Sequence, residues 1–151
     1  MDVQIKRVDG NDPDLQNLAA ALSSQLAELN GEKNDFYAQF NKAASLPHAV
    51  VAYKDDKPVG CGGFRPFEDA VVEIKRMFVA PDCRGMGVGR LVLSELESWG
   101  AQLDYRGAVL ETSKRLTAAN KLYLSAGYEP IPNYEPYVGI EDSVCMRKSL
   151  A

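Results

Sequence analysis

The sequence predicts an α/β (α+β) fold, with a mixed, mostly antiparallel sheet and helices on both of its faces. Strand-like runs follow one another closely before residue 80, which is typical of an antiparallel meander. After residue 80 a helical pattern separates two strand-like runs, and a strand–helix–strand crossover makes its two strands parallel. The chain has 151 residues, a length that suits one hydrophobic core, so we expect a single domain over residues 1–151.

The elements of the first half follow from the spacing of apolar residues. A short strand is predicted at Val3–Val8. From Pro13 leucines recur at helical spacing, and Asn30-Gly31 ends that helix. A second short helix is predicted around Phe36, Tyr37 and Phe40. Strands then follow at His48–Tyr53, Pro58–Phe64 and Val71–Val79, with turns at Asp55-Asp56 and Pro66–Asp69.

The second half alternates helices and strands. A glycine-rich turn leads into one helix, and a later helix is expected to have Gly127 as its C-cap. The predicted elements are a helix from Gly87 to about Ala101, a strand at Ala108–Thr112, a helix from about Leu116 to Ala126, a loop at Tyr134–Gly139 and a strand at Ser143–Lys148.

Composition and charge exclude several classes of protein. Hydrophobic residues make up 46% of the chain and charged residues 25%, as in an average soluble globular protein. The net charge of −4 argues against nucleic acid and anionic membranes as partners, since both attract a basic face. Three scattered cysteines and one histidine predict neither a disulfide framework nor a metal site. The charged start lacks a signal-peptide pattern and no apolar run could span a bilayer, so we expect a cytoplasmic protein.

The most informative stretch is a turn in the middle of the chain, in which Gly85, Gly87 and Gly89 alternate with other residues. Glycine lets backbone N–H groups approach a ligand closely, and a helix start offers unpaired N–H donors at the positive end of its dipole. These features together predict an anion site suited to a pyrophosphate. Arg84 and Arg90 add positive charge where no acidic residue offsets it, an arrangement that a bound anion would explain.

A glycine-rich turn has three other interpretations. The spacing G-x-G-x-G differs from the G-x-G-x-x-G of dinucleotide-binding folds, and the antiparallel run before the turn also argues against such a fold. A Walker A loop is excluded because no Gly-Lys-Ser/Thr is present. A tight turn that merely needs flexible residues stays open as an alternative.

A later helix carries a second unusual feature. Asn120 lies in the middle of this helix, where Asn is a poor helix former, and Tyr123 follows on the same face. An isolated pair of this kind is typical of a surface Asn beside a core Tyr. The glycine-rich turn at Gly85, Gly87 and Gly89 is called the phosphate turn below. Asn120 and Tyr123 follow a strand that is predicted to run parallel to the strand before this turn, and this position favours a functional role for the pair.

Three segments of the chain resemble the GNAT superfamily of acetyl-CoA-dependent N-acetyltransferases. The resemblance covers roughly Val50 to Leu150 and keeps the family's order of motifs. The segment Val79-x-Pro81-x-x-Arg84-Gly85-x-Gly87-x-Gly89 resembles the family's acyl-CoA signature. The segment Ala118-x-Asn120-x-x-Tyr123-x-x-x-Gly127-Tyr128 resembles its second motif. The segment Glu73-x-x-x-Met77-Phe78-Val79 resembles its central strand.

The resemblance implies a binding mode for acetyl-CoA as co-substrate, with no metal. Two parallel strands, ending near Val79 and Thr112, would splay apart around the pantetheine arm, which would pair with the first of them as an added strand. The turn amides would hold the pyrophosphate, Asn120 would contact the pantetheine and Tyr123 would face the sulfur. The implied cofactor-binding residues are Met77, Phe78, Val79, Arg84, Gly85, Met86, Gly87, Val88, Gly89, Arg90, Asn120 and Tyr123.

The resemblance also implies a mechanism of direct transfer. An attacking amine must first lose a proton, and Glu73 stands where many relatives place a carboxylate for this general-base step. Tyr123 would protonate the leaving thiolate as general acid. A strand carboxylate paired with Lys75 or Arg65 is the structural alternative for Glu73. Cys83 and Cys145 lack a partner base, so a covalent acyl-cysteine is not favoured.

The acceptor is expected to be a small-molecule amine. Arg65 and Lys75 could place positive charge near it, and Tyr134 and Tyr137 belong to a loop that often walls the acceptor cleft in relatives. Solvated strand charges and ordinary packing are the alternatives for these four residues. A protein acetyltransferase and a non-catalytic acyl-CoA-binding module stay open as rival functions, and so does a homodimer.

Overall fold

The computed structural model describes residues 2–31 and 46–151. The helix predicted around Phe36, Tyr37 and Phe40 therefore lies outside the described residues. The described strands and helices are β1 Val3–Val8, α1 Pro13–Asn30, β2 His48–Lys54, β3 Lys57–Glu68, β4 Val71–Val79, α2 Val88–Gln102, β5 Gly107–Ser113, α3 Thr117–Ser125, β6 Glu129–Ile131 and β7 Ser143–Ser149.

The strands are ordered β1-β2-β3-β4-β5-β7-β6 in one mixed sheet of seven strands. β1, β2 and β3 pair antiparallel in sequence order, and β7 pairs antiparallel with both β5 and β6. β4 and β5 pair in parallel, with a register from Val71 opposite Gly107 to Ile74 opposite Leu110, and β4 continues beyond it to Val79. The predicted mixed sheet and its parallel crossover are confirmed.

The described chain divides into two compact units. The first takes in residues 2–31, 46–65 and 75–96, and the second takes in residues 66–74 and 97–151. β4 contributes its first four residues to the second unit and the remainder to the first. The single domain expected from chain length stays a prediction.

In the first unit, α1 lies on one face of the sheet. Asp12 caps this helix by accepting a hydrogen bond from the N–H of Leu15 at 3.1 Å, and Pro13 occupies the first turn, where a missing N–H is harmless. The leucines that recur at helical spacing are buried against strand residues. The resulting core cluster contains Leu15, Leu18, Leu22, Ala49, Val51, Cys61 and Phe78.

The start of α2 lies on the opposite face of the same strands. Successive strand residues point to opposite faces, so Gly60 and Gly62 face away from Cys61 and from α1. A Cβ built on Gly60 would lie 2.6 Å from Cγ1 of Val88, and one built on Gly62 would lie 3.1 Å from Cγ1 of Val92. These two glycines let α2 approach the strand backbone closely. Within this unit, the prediction of helices on both faces is confirmed.

In the second unit, α3 ends with a left-handed glycine. The helix ends at Ser125, Ala126 is its C-cap, and Gly127 follows with a φ of 99°. The N–H of Tyr128 donates to the carbonyl of Tyr123 at 3.0 Å, and the N–H of Gly127 donates to Leu124 at 3.1 Å. This pair of bonds is a Schellman motif, so Gly127 ends the helix as predicted but one position beyond the cap.

One predicted turn of the second unit is corrected, and one strand of this unit was not predicted. The turn expected at Pro66–Asp69 is shorter, because β3 continues to Glu68 and only Asp69 and Ala70 form the turn. The extended backbone continues because Phe67 packs edge-on against the ring of Tyr134, with 4.6 Å between ring centroids. The short strand β6 was not predicted.

The described helices include no membrane-spanning candidate. No helix within residues 2–31 and 46–151 combines the length and the apolar character that crossing a bilayer requires.

Candidate active site

The predicted phosphate turn is an exposed turn of the first unit. A 3-10 turn at Pro81–Cys83 precedes it, and the buried side chain of Cys83 anchors that end. Gly85 and Gly87 have φ values of 79° and 84°, a left-handed conformation that side chains disfavour. A Cβ built on either glycine would meet nothing within 4 Å, so the backbone of the turn is open to a ligand.

The turn leads directly into the N-terminus of α2. The N–H of Leu91 donates to the carbonyl of Gly87 at 3.1 Å, so Gly87 holds the cap position and Val88 is the first helical residue. The next N–H groups, including that of Gly89, are the helix-start donors that lack an intrahelical partner. The first turn of α2 contains no acidic residue and Arg90 is exposed there. A helix start of this kind offers positive potential to an anion. That a pyrophosphate binds here stays a prediction.

Some side chains of the turn make contacts within the protein. Val88 is 1% exposed and packs onto β3, so only its backbone could reach a phosphate. Met86 is exposed. The Arg84 guanidinium is turned back onto the protein, where Nε donates to the carbonyl of Val79 at 3.0 Å and Nη2 donates to Oε1 of Gln25 at 2.6 Å. Arg84 therefore fixes the turn to the end of β4 and to α1.

The residues at the end of β4 are buried or partly buried. The ring of Phe78 is buried in the core cluster and lies 5.7 Å from the Arg84 guanidinium carbon. Met77 and Val79 are partly buried on the alternate positions. Upstream of them Arg76 has a φ of 59°, an uncommon conformation for a non-glycine residue inside a strand.

Arg76 has a structural role that the sequence did not reveal. Its Nη2 donates to the carbonyl of Ala19 and to Oγ of Ser23, the latter at 2.5 Å, so the guanidinium is held by α1. Burial lowers the pKa of Arg76. The carbonyl of Arg76 accepts a hydrogen bond from the thiol of Cys61 at 3.4 Å. These contacts hold the Arg76 guanidinium against α1.

Glu73 lies in the part of β4 that belongs to the second unit. It is 2% exposed, opposite Val109 of β5 in the parallel register. The hydroxyl of Tyr134 donates a hydrogen bond to Oε2 of Glu73 at 2.9 Å. Burial, followed by the negative charge of Glu73, raises the pKa of Tyr134. A buried carboxylate and a protonated phenol thus form a pair within this unit.

The loop that carries Tyr134 is organised around one asparagine. The side-chain nitrogen of Asn133 donates to the carbonyls of Tyr137, Ile140 and Ser143 at 3.2, 3.3 and 3.1 Å. The N–H of Tyr137 donates to the carbonyl of Tyr134 at 2.7 Å. No sequence motif predicts this role of Asn133, because the carbonyls that it binds lie four to ten residues away along an irregular loop.

Asn120 and Tyr123 lie together on α3, as predicted. The side-chain nitrogen of Asn120 donates to the carbonyls of Ser113 and Leu116 at 2.9 and 2.8 Å, which ties the helix to the end of β5. These bonds explain a poor helix former in mid-helix. Tyr123 is 6% exposed and packs edge-on against Tyr128. Burial, followed by the charge of Glu111, raises the pKa of Tyr123.

A second carboxylate of this unit was named in no motif. Oγ of Ser143 donates to Oε2 of Glu111 at 2.7 Å, and Glu111 lies opposite Cys145 across β5 and β7. The pairing depends on strand register, which the sequence pattern alone does not give. Burial raises the pKa of Cys145 to about 11 and that of Cys61 to about 12. Both thiols are therefore protonated near neutral pH.

Of the four residues predicted to contact the acceptor, Arg65 and Lys75 belong to the first unit, and Tyr134 and Tyr137 belong to the second. Tyr134 and Tyr137 share the loop before β7, with 5.8 Å between their ring centroids, and Tyr137 is buried. Arg65 is partly buried on β3, and Lys75 is buried on β4. Contact of all four with an acceptor stays a prediction.

The chain is similar in sequence and fold to known acetyltransferases. The acetyltransferase (GNAT) family model matches residues 15–128. An uncharacterized N-acetyltransferase of Schizosaccharomyces pombe is 32% identical over 99 residues, which span 58% of this chain and 61% of that relative. A Klebsiella pneumoniae protein assigned as an acyl-CoA N-acyltransferase has a TM-score of 0.81 at 28% identity, covering 99% of this chain and 98% of that one. The PaiA N-acetyltransferase of Thermoplasma acidophilum, in complex with coenzyme A, has the same fold, with a TM-score of 0.74, 13% identity and 99% of each chain covered.

Proposed function

The chain belongs to the acetyltransferase (GNAT) family, and on this premise we propose that it transfers an acetyl group from acetyl-CoA to a primary amine. The observation that carries the proposal is the phosphate turn. Two left-handed glycines leave its backbone open, and it leads into a helix start without an acidic residue. Such a turn suits the pyrophosphate of an acyl-CoA. One structural neighbour, PaiA, was crystallised with coenzyme A, which supports this choice of ligand.

In this proposal the backbone from Arg84 to Arg90 binds the pyrophosphate. Arg84 acts mainly by holding the turn, since its guanidinium already bonds Val79 and Gln25. The backbone of Met77–Val79 pairs with the pantetheine arm as an added strand. The side-chain nitrogen of Asn120 fixes the start of α3 by donating to two carbonyls. The side-chain oxygen of Asn120 accepts a hydrogen bond from the pantetheine arm.

The reaction is a direct attack of the amine on the thioester. Glu73 takes a proton from the ammonium group, the neutral nitrogen forms a bond to the carbonyl carbon, and the carbon–sulfur bond breaks. Backbone N–H groups near Val79 stabilise the negative charge that develops on the carbonyl oxygen. Tyr123 gives a proton to the leaving thiolate, and the surplus proton that the nitrogen still carries passes through solvent to the Tyr123 phenolate, which leaves a neutral amide and free coenzyme A.

The ionisation states of the side chains are consistent with these roles. Burial raises the pKa of Tyr123, so its hydroxyl keeps the proton that an acid must donate. The raised pKa values of Cys61 and Cys145, about 12 and about 11, argue against either thiol as an acyl carrier, because the thiolate is the nucleophile. Direct transfer needs no such carrier.

We place the acceptor in the class of small-molecule primary amines. Within the second unit, the ring of Tyr134 packs against the rings of Phe67 and Tyr137, and its hydroxyl donates to the Glu73 carboxylate, so aromatic surface lies beside that carboxylate. Such a surface suits the short carbon chain of a small amine more than a charged polymer. Arg65 and Lys75 remain candidates for contact with a carboxylate of the acceptor.

The binding of acetyl-CoA tests the proposal. Gly87→Glu places a side chain and a like charge at the turn, and calorimetry should show at least a tenfold loss of acetyl-CoA affinity. Gly139→Glu is the matched control, because Gly139 has a φ of 81° and nothing within 4 Å of a built Cβ, as at Gly87. The control should bind normally. Equal affinity in both variants, each with an intact fold, would contradict the assignment of the turn.

A further inference from the structure

We propose that Tyr134 is a positioning residue that holds the Glu73 carboxylate for proton removal. The proposal rests on the function proposed above. The observation behind it is the hydrogen bond of 2.9 Å from the Tyr134 hydroxyl to Oε2 of Glu73, within the second unit. Tyr134 acts through Glu73 and does not itself react with the amine.

The hydrogen bond orients a group that burial would otherwise leave poorly solvated. Glu73 is 2% exposed, and a buried carboxylate needs donors in place of water. A donated hydrogen bond also favours the ionised form of a carboxyl group, which is the form that accepts a proton from the amine. Burial raises the pKa of Tyr134, so the phenol remains a donor across the pH range in which the reaction is measured.

Tyr134 is itself held in place. Its ring packs edge-on against Phe67 and Tyr137, with centroid separations of 4.6 and 5.8 Å. The loop backbone next to it is fixed by Asn133, which donates to three carbonyls. A side chain fixed on several sides can hold a catalytic carboxylate in one geometry, which is the requirement for an efficient base.

The charged groups around the pair define what the variant should change. Burial raises the pKa of Cys145 on β7, a hydrogen bond from the Tyr134 backbone lowers it, and the negative charges of Glu111 on β5 and of Glu73 raise it. Cys145 and Glu111 thus lie close to the pair. The Tyr134 hydroxyl differs from them because it donates a hydrogen bond to the Glu73 carboxylate.

The substitution Tyr134→Phe removes the donor and keeps the ring. Loss of a hydrogen bond to a charged group should lower kcat/KM for the amine by about ten- to a hundredfold near neutral pH, with acetyl-CoA affinity unchanged. The loss should appear in kcat and in the single-turnover rate of acetyl transfer, with KM for acetyl-CoA unchanged. In a Glu73→Gln background, Tyr134→Phe should cause little further loss, because the residues act as a unit.

Tyr53→Phe is the matched control. It also removes a phenol that donates to a carboxylate, Oδ2 of Asp14, at 2.6 Å. It should leave kcat/KM and the single-turnover rate unchanged. A wild-type transfer rate in Tyr134→Phe, or full additivity with Glu73→Gln, would overturn the proposal.

A measurement without turnover separates this proposal from the proposed function. The carboxyl carbon of Glu73 can be observed by ¹³C NMR at a fixed pH, with Glu73→Gln identifying its signal. Its chemical shift should change in Tyr134→Phe, because the hydrogen bond to Oε2 is lost, and should stay unchanged in Tyr53→Phe. An unchanged shift in Tyr134→Phe refutes the role of Tyr134 even if the enzyme is active. If wild-type protein acetylates no amine, the proposed function fails, whatever the spectrum shows.

Discussion

A carboxylate as deeply buried as Glu73 needs a reason to be where it is, because removing a charge from water is unfavourable unless partners replace the water. The hydroxyl of Tyr134 supplies one such partner at 2.9 Å. The neighbouring strand presents apolar Val109 opposite Glu73 in the register. A carboxylate retained at such a position is a candidate for proton transfer, since burial and specific partners are how active sites tune acids and bases.

The first prediction at this scale concerns Glu73→Gln. Removal of a general base should lower kcat by about two to four orders of magnitude at neutral pH, with acetyl-CoA affinity nearly intact. The deficit should narrow at higher pH, where more of the amine is already neutral. Single-turnover kinetics measures the transfer step directly, free of any limit from product release.

Glu68→Gln is the control for that measurement. Glu68 is an exposed carboxylate on β3, 3.5 Å from Arg147, and an exposed ion pair contributes little. It should leave the transfer rate unchanged. A wild-type rate for Glu73→Gln at every pH would remove Glu73 from the mechanism.

The sequence identified single residues where a local motif marks them. Gly87 and Gly127 were marked by their places at helix ends, and both have positive φ values. Asn133 and Glu111 were not marked, because their partners are set by the path of a loop and by the register of β5 with β7. Side-chain pairs across strands depend on register, which a single sequence specifies only weakly.

At the scale of elements, the docking of α2 on β3 determines where its N-terminus lies. Two glycines of β3 face this helix, and a Cβ on Gly62 would lie 3.0 Å from Cδ1 of Leu96 and 3.1 Å from Cγ1 of Val92. The close approach fixes the helix against the strand, and with it the phosphate turn that precedes the helix.

The packing predicts opposite effects for two identical substitutions. Gly62→Ala overpacks the contact between β3 and α2 and should lower the free energy of unfolding by about 1–3 kcal/mol. Gly100→Ala lies within α2, where a Cβ would make an ordinary contact of 3.4 Å with Leu150. It should raise the free energy of unfolding by about 0.5–1 kcal/mol, because Ala favours helix over Gly. Denaturant unfolding measures both, and a shared sign would contradict the described packing.

The long periodic elements were predicted well, and the shortest strand was not predicted. The spacing of leucines located α1, and alternating glycines located the start of α2. β6 is a strand of three residues, Glu129–Ile131, that contains a proline. It exists because Glu129 and Ile131 pair with Arg147 and Cys145 of β7, a long-range contact without a local signal.

For the whole molecule, the sequence predicted the fold and the family more fully than the acceptor. A meander followed by a crossover sets the order of strands, since crossover connections are strongly constrained. Three motifs then pointed to the family, and the family match at residues 15–128 confirms it. The acceptor has no motif of its own. Its class depends on how loop residues such as Tyr134 and Tyr137 present their rings, which the sequence pattern does not encode.

The central claim is that the protein moves an acetyl group from acetyl-CoA to an amine nitrogen. The most direct test incubates it with acetyl-CoA and a panel of small primary amines, and follows free coenzyme A and the acetylated amine by mass spectrometry. We predict that coenzyme A is released at a rate that depends on the amine, together with an equal amount of acetylated product. Protein that binds acetyl-CoA but releases coenzyme A no faster with any amine than without one would contradict the claim.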